Sequence, residues 1–527
     1  MRTLRLKDYL IALQKANLVV SAQISAEKQE LEVKQLTFDS QEAGEGCLFV
    51  CKGAHFKAQY LQDACAKGAI CYVSEVPYEV AAADCKDVAV SPASILVSDI
   101  RKAMALLGNL FYDEPWRRLH TIGVTGTKGK STTVYYIRQI LDCWLEKEGQ
   151  KESAVLSGID VYDGVVCEES HLTTPEAIPL QRHFANAAES GMEYLEMEVS
   201  SQALKYDRTA GVTFEVGAFL NIGEDHISPI EHPDFDDYFD SKLRLMDQCR
   251  IACVNGDCNH FEEIYSRAQD SKAEKVIAFG QKPGMDLYGH HLRKTEQGIA
   301  FQADWQGKTM DIELTMPGLF NIENALAAMA CCLALGVSEE AIKEGLYSAR
   351  VPGRMEPFYG KESGTMVLVD YAHNRMSFEK LFSSCREEYP EHRIVAIYGC
   401  PGKKALARRW ELAEVAANYA EKVYVTEEDH GEEDLTEICV QIASNVLKYG
   451  GTPEIIEDRE LAIKEAIEEA ASLAAGTVYS GPDAGKACKP VKTLILLTGK
   501  GRETRQKRGT KYIDCASDVE IVEQYLK

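Results

Sequence analysis

The chain of 527 residues is short of positive charge. Its 58 Lys and Arg stand against 82 Asp and Glu, a formal net charge of −24. Nucleic-acid binding needs clustered Lys and Arg against phosphate, so no nucleic-acid partner is expected. Small anions stay open, because they respond to local sites. Long apolar runs are missing too. The longest, Ala325 to Val337, has a core-helix length and is too short to cross a bilayer, so no membrane partner is expected. The N-terminus MRTLRLKDYLIALQKANLVV mixes charges among its apolar residues and has no cleavage pattern, so it does not read as a signal peptide. A paired-cysteine framework is also absent. The 17 cysteines are odd in number, and several, such as Cys331 and Cys332, sit in apolar runs. That reads as reduced thiols in a cytoplasmic enzyme.

What is present is ordinary globular composition, 45% hydrophobic and 27% charged. At about 150 residues per domain the length suggests three or four domains. Short apolar runs alternate with helical patterns throughout. Leu48–Val50 and Ala69–Val73 read as strands around a helix at Gln59–Lys67, and a helical pattern from Ile100 ends near Asp113-Glu114-Pro115. His120–Thr125, Tyr194–Val199 and Phe214–Asn221 read as strands of a second unit. A third unit begins after Val351-Pro352-Gly353, with strand patterns at Met366–Val369, Arg393–Tyr398, Lys422–Val425 and Thr493–Leu497. Strand–helix alternation of this kind implies mostly parallel sheets, an α/β fold.

Gly123 to Thr133 reads GVTGTKGKSTT between a strand and a helix. Glycines let backbone N–H groups approach phosphate, and a helix N-terminus adds a favourable field. Lys130 suits the β- and γ-phosphates of a nucleotide, and Ser131 suits Mg²⁺. The strict G-x-x-x-x-G-K-S spacing would put glycine at 124, where Val124 stands; Gly126 follows two residues later. Further along, Glu198 and Asn221 end two strand patterns, and Asp225-His226 follows. Ligands of doubly wound sheets bind beyond strand carboxyl ends. A carboxylate and an imidazole there suit a metal, and Mg²⁺ is the expected ion.

The string T-G-T-x-G-K-S-T resembles the phosphate loop of the Mur ligases and their folylpolyglutamate synthetase relatives. Thr173-Thr174-Pro175, Met197-Glu198-Val199-Ser200-Ser201 and Arg208 are similar to the Mur ligases that add the third residue of the peptidoglycan peptide. The resemblance implies ATP and Mg²⁺ as cofactors. The nucleotide would meet Gly126, Thr127, Lys128, Gly129, Lys130, Ser131 and Thr132. Mg²⁺ would meet Ser131, Glu198, His226 and, if carbamylated, Lys242. It implies that Ser40, Thr173, Thr174, Ser200 and Arg208 hold UDP-N-acetylmuramoyl-dipeptide. It also implies three domains: a UDP-binding domain over 1–114, a central P-loop domain over 115–350, and a Rossmann-like domain over 351–527. Lys128 stands where the family has Asn, Gln202 where it has His, and Gln41 where it has Arg.

In the C-terminal third, Asn324 resembles the family's adenine-side motif, and Arg354 and Asp370 its further ATP contacts. Thr498-Gly499-Lys500-Gly501-Arg502-Glu503 resembles G-K-G-H-E, which makes Gly499 and Glu503 contacts of the incoming amino acid. Glu428-Asp429-His430-Gly431 occupies the place of the specificity motif D-N-P followed by Arg or Ala. The Arg that grips a second carboxylate is missing from it. Acids favour an ammonium, so lysine or ornithine is the expected amino acid, joined through an acyl phosphate. The expected activity is ATP-dependent amide ligation, with Lys130, Lys242, His226 and Glu198 at the reacting groups. Other readings are a folylpolyglutamate synthetase, a ligase adding D-Ala-D-Ala, or a nucleotide-binding regulatory protein without catalysis. A zinc site at Cys249, Cys253, Cys258 and His260 is disfavoured, because the spacing is not a standard one.

Overall fold

The computed structural model describes residues 4–53, 56–80, 92–170, 172–224, 227–228, 231–295, 298–360, 364–482 and 484–526. The chain divides into two compact units. The first holds residues 1–291, 302–311 and 323–346, and the second 292–301, 312–322 and 347–527.

The first unit contains two sheets. The N-terminal sheet comprises β1 (Val19–Gln23), β2 (Gln35–Thr37), β3 (Cys47–Val50), β4 (Ala69–Ser74) and β5 (Ala93–Val97), in the order β1-β5-β4-β3-β2. All its pairings are parallel except β1 with β5. Its strand β3, flanked by β4 and β2, is buried along its whole length, as a strand covered on both faces must be.

The larger sheet is built on β6 (His120–Thr125), β7 (Ala154–Leu156), β8 (Asp160–Tyr162), β9 (Cys167–Glu169), β10 (Tyr194–Glu198), β11 (Phe214–Phe219), β12 (Cys249–Asn255) and β13 (Lys275–Gly280). Its order is β13-β12-β11-β6-β10-β7-β8-β9. The strand β6 is central and parallel to both neighbours, with Val124 opposite Glu198 and Thr125 opposite Phe219. The glycine-rich loop therefore leaves the sheet between the ends of β10 and β11, at the crevice where ligands bind such sheets. Helix Lys130–Glu148 follows it and buries Val134, Ile137 and Leu141 at helical spacing.

The strand β12 passes through the cysteine cluster. Cys249 and Cys253 are buried on it, and all sixteen described cysteines are free thiols. No group of three His, Cys, Asp or Glu able to hold a metal occurs among the described residues. These sulfurs pack as small apolar side chains.

Three further strands follow: β14 (Leu287–Lys294), β15 (Ile299–Trp305) and β16 (Lys308–Leu314). The second unit carries β17 (Glu356–Tyr359), β18 (Thr365–Asp370), β19 (Arg393–Tyr398), β20 (Lys422–Val425), β21 (Pro453–Ile455) and β22 (Thr493–Thr498), in the order β17-β18-β22-β19-β20-β21. Only β17 is antiparallel. Parallel pairing sends Asp370, Thr426 and Gly499 to one edge of this sheet, as the strand pattern predicted.

Candidate functional site

In the first unit the phosphate loop is clamped from its neighbours. Asn221 receives the Lys128 N–H at 2.9 Å and donates to the Lys128 carbonyl at 3.0 Å. The Thr127 hydroxyl lies 3.0 Å from the Tyr238 hydroxyl and accepts the Gly223 N–H at 3.1 Å. Gly129 has φ +85°, and a Cβ there would come within 2.3 Å of the Asn324 amide oxygen. The close approach and the left-handed backbone both require glycine. Asn324 is thus seated against the loop, although nearly two hundred residues separate them.

Two lysines meet on one carbonyl. Lys130 and Lys242 each donate to the Gly126 oxygen at 2.9 Å. Lys242 is buried, with its ammonium 4.8 Å from the Tyr238 ring centroid. Burying an ammonium costs several kcal/mol, roughly, unless such contacts offset it. A solvated helix lysine would not be placed here.

Glu198 is buried at the end of β10, and its Oε1 accepts the Gly158 N–H at 2.8 Å. Thr173 borders the same glycine. The neighbouring turn gathers Thr174, Ser200 and Arg208. Thr174 Oγ1 donates to the Glu198 carbonyl at 2.9 Å and accepts the Ser200 N–H at 3.0 Å. Arg208 donates to the Thr174 carbonyl at 3.0 Å and pairs with Glu176 at 2.8 Å. Glu176 also holds Lys52 of the N-terminal segment. Ser40 lies in the loop after β2, where its carbonyl accepts from Lys67. His226 falls outside the described residues.

Ser131 and Glu198 offer oxygen, the donor type that Mg²⁺ prefers. One Glu198 oxygen is spent on Gly158, and the other has no hydrogen bond among the described residues, which fits a role as an ion ligand.

The second unit holds the other cluster. Asp370 uses both oxygens locally, accepting from Met355 N–H at 2.8 Å and Ala372 N–H at 2.7 Å. Asp370, expected as an ATP contact, here first secures the turn that carries Arg354, whose guanidinium lies 4.8 Å from the Tyr371 ring. Most of the acidic run is also committed. Glu427 pairs with Arg508, Glu432 with Lys403, and Glu433 with Arg409. Asp429 accepts from Lys500 at 3.2 Å and from the Lys507 N–H at 3.0 Å. Glu503 takes Lys500 at 2.7 Å and also the Tyr371 hydroxyl.

Glu428 differs. Its carboxylate has no hydrogen bond among the described residues, and burial pushes it up to about 7. Arg408 opposes that shift most, followed by Arg459. Gly499, at φ +102°, makes room for it: a Cβ there would lie 3.1 Å from Glu428 Oε2. Sequence reasoning found no guanidinium to offer a carboxylate in this region. The structure supplies Arg408, at the start of helix Arg408–Tyr419. Its only signal in the sequence was the basic pair Arg408-Arg409.

The Mur ligase middle domain matches residues 124–332, and the Mur ligase glutamate ligase domain matches 353–479. The chain is 36% identical to the UDP-N-acetylmuramoyl-L-alanyl-D-glutamate–L-lysine ligase of Enterococcus faecalis, over 94% of this chain and 92% of that one. It is equally similar to the ligase of the same name from Streptococcus pyogenes, over 94% of each chain. Among solved structures, a UDP-N-acetylmuramoyl-L-alanyl-D-glutamate–2,6-diaminopimelate ligase superposes with a TM-score of 0.64 at 21% identity, over 99% of this chain and 98% of that one. A folylpolyglutamate synthase from Mycobacterium tuberculosis superposes with a TM-score of 0.57 at 16% identity, over 75% of this chain and 92% of that one. The first likeness describes the three-domain α/β fold over the whole chain, and the second the fold of three quarters of it. With both domains matched and the relatives aligned nearly end to end, the chain belongs to the Mur ligase family of ATP-dependent ligases.

Proposed function

We propose that the protein joins L-lysine, or a closely similar diamino acid, to UDP-N-acetylmuramoyl-L-alanyl-D-glutamate in peptidoglycan synthesis. The carrying observation is the 36% identity to L-lysine ligases over 94% of the chain. Glu428 supports it independently, as the one carboxylate of its run without a hydrogen-bonding partner among the described residues. Its charge suits a side-chain ammonium, and Arg408 suits the α-carboxylate of the same amino acid.

In this reading the domains are 1–114, 115–350 and 351–527. Ser40, Thr173, Thr174, Ser200 and Arg208 hold the muramyl substrate. Gly126, Thr127, Lys128, Gly129, Lys130, Ser131 and Thr132 hold the nucleotide, with Asn324, Arg354 and Asp370. Ser131, Glu198 and His226 would hold Mg²⁺, with Lys242 if carbamylated. That ion would neutralise phosphate charge when bound. The substrate carboxylate attacks the γ-phosphorus, the bond to the β–γ bridging oxygen breaks, ADP leaves and an acyl phosphate forms, while Lys130 offsets the negative charge that builds up. Glu428, Asp429, Gly499 and Glu503 orient the amino acid. Its amine attacks the acyl carbon, and phosphate leaves. The proposed compartment is the cytoplasm, supported by the free thiols.

Phosphate release with UDP-N-acetylmuramoyl-L-alanyl-D-glutamate and ATP, against a panel of amino acids, tests this. Lysine-dependent release is the expected outcome. Release that requires a folate substrate, or a D-Ala-D-Ala acceptor step, would contradict it. No release with any amino acid would favour a binding protein without catalysis.

A further inference from the structure

Ser201, His232 and Asp237 form an ordered chain that the chemistry above does not use. His232 Nε2 lies 3.0 Å from Ser201 Oγ, and His232 Nδ1 lies 2.6 Å from Asp237 Oδ2. The proton positions follow from the surroundings. Burial opposes ionisation of Asp237, but bonds from Lys205 and His232 outweigh it and hold the carboxyl below its usual range. Burial also lowers His232, against the pull of Asp237. The imidazole is therefore neutral near pH 7. Its proton sits on Nδ1 toward Asp237, and Nε2 accepts the Ser201 hydroxyl. Hydrolase triads share this order, but there the serine must reach substrate. Here Ser201 is only 4% exposed and His232 is 0% exposed.

The location points to another role. Ser201 opens helix Ser201–Lys205, whose N-cap is Ser200. Asp237 stands in the first turn of helix Phe235–Leu243. The two helices are joined again by Lys205 to Asp237 at 2.6 Å, and Gln202 donates to Glu231 at 3.0 Å. On its other side, the His232 ring meets the Tyr238 ring edge-on, with centroids 5.1 Å apart. Tyr238 in turn bonds Thr127 of the phosphate loop and lies under Lys242. His232 thus touches both the turn holding Thr174 and Ser200 and the tyrosine seated on the loop.

We propose that His232 is a positioning residue that links the turn at Thr174 and Ser200 to the phosphate loop through Ser201 and Tyr238. The link keeps the acceptor carboxylate in register with the γ-phosphate. The proposal rests on the ligase reading, and it differs from it in what fails. Misplacing reacting groups by about 1 Å costs on the order of 100-fold in rate. Asn at 232 keeps a donor toward Asp237 and loses the Ser201 bond, whereas Gln keeps an acceptor near the Nε2 position.

The test compares full-length wild type, H232N, H232Q, S201A and S201A/H232N. Steady-state ligation is read together with direct ADP binding and thermal unfolding. H232N is expected to lower kcat about 30- to 100-fold at saturating substrate, with ADP affinity within about twofold of wild type. H232Q retains more of kcat than H232N. The double variant falls no further than about twofold below H232N, because both changes break one link. Wild-type kcat in H232N overturns the proposal alone. So does full additivity of S201A and H232N, or a kcat loss that merely tracks the loss of folded protein. No ligation by wild type overturns the ligase reading and this inference with it.

Discussion

The phosphate loop and the acidic run after β20 both leave the carboxyl end of a parallel strand, yet they are held in opposite ways. The loop is fixed by backbone: Asn221 binds both peptide groups of Lys128, and two lysines converge on the Gly126 carbonyl. The acidic run is fixed by side-chain ion pairs that neutralise Glu427, Glu432 and Glu433 and leave Glu428 without a hydrogen bond among the described residues. A backbone cradle recognises phosphate whatever the surrounding side chains are. A pocket of paired charges recognises a ligand by the one charge left over, so a few substitutions change its preference. In the proposed reaction the first region carries the chemistry, and the second carries the choice of amino acid.

Lys130→Ala would break the first region most severely. Turnover is expected to fall by about 1,000-fold or more, since a charge that offsets the transferring phosphate is lost. Thermal unfolding is expected to change far less than turnover: the Lys130 ammonium donates to the Gly126 and Thr127 carbonyls of its own loop and is not part of the buried core. Near-normal ligation would remove the loop from the mechanism.

Glu428→Gln sharpens the contrast from the other side. The KM for lysine should rise roughly 10- to 100-fold, the worth of a charge-assisted hydrogen bond, while the KM for ATP stays unchanged. Equal changes in both constants would mean that the two regions do not divide the labour.

Gly499→Ala adds a Cβ at φ +102° and 3.1 Å from Glu428 Oε2. A loss of about 1–2 kcal/mol in urea unfolding is expected, with a several-fold rise in the KM for lysine. Unchanged values for both would remove the close approach as a constraint.

The smallest effect lies in pH. Burial first, against Arg408, raises Glu428 from 4.5 to about 7. Between those values the unfolded chain gives up the proton and the folded chain keeps it. Wild-type stability therefore falls as pH rises through that window. Glu428→Gln should be the more stable protein at pH 8, with the gap closing toward pH 5. Lysine binding should move the opposite way in wild type, strengthening as Glu428 ionises. A gap that widens on acidification would show that Glu428 is stabilised as an anion.

Much of this was legible in the sequence. The strands His120–Thr125, Arg393–Tyr398 and Lys422–Val425 occur at the predicted bounds, because each is an apolar run ended by turn residues. The predicted companions Ser200 and Arg208 both hydrogen-bond Thr174. The strand β12 was missed because its cysteines were weighed only as a metal site, which their spacing disfavoured, and not as apolar strand residues. The strands β7, β8 and β9 have three residues each, too few to show a period. Arg408 and the Ser201–His232–Asp237 chain were also missed. Their partners come together only through the crossing of distant segments, and no local spacing encodes that.

The central claim is that the charge left over at Glu428 selects a diamino acid without a distal carboxylate. The most direct measurement is kcat/KM for L-lysine and for meso-diaminopimelate, side by side on the full-length protein with UDP-N-acetylmuramoyl-L-alanyl-D-glutamate and ATP. Lysine is expected to be preferred by about 100-fold or more, from one charge pair gained and one carboxylate left unpaired. A preference for meso-diaminopimelate would contradict it.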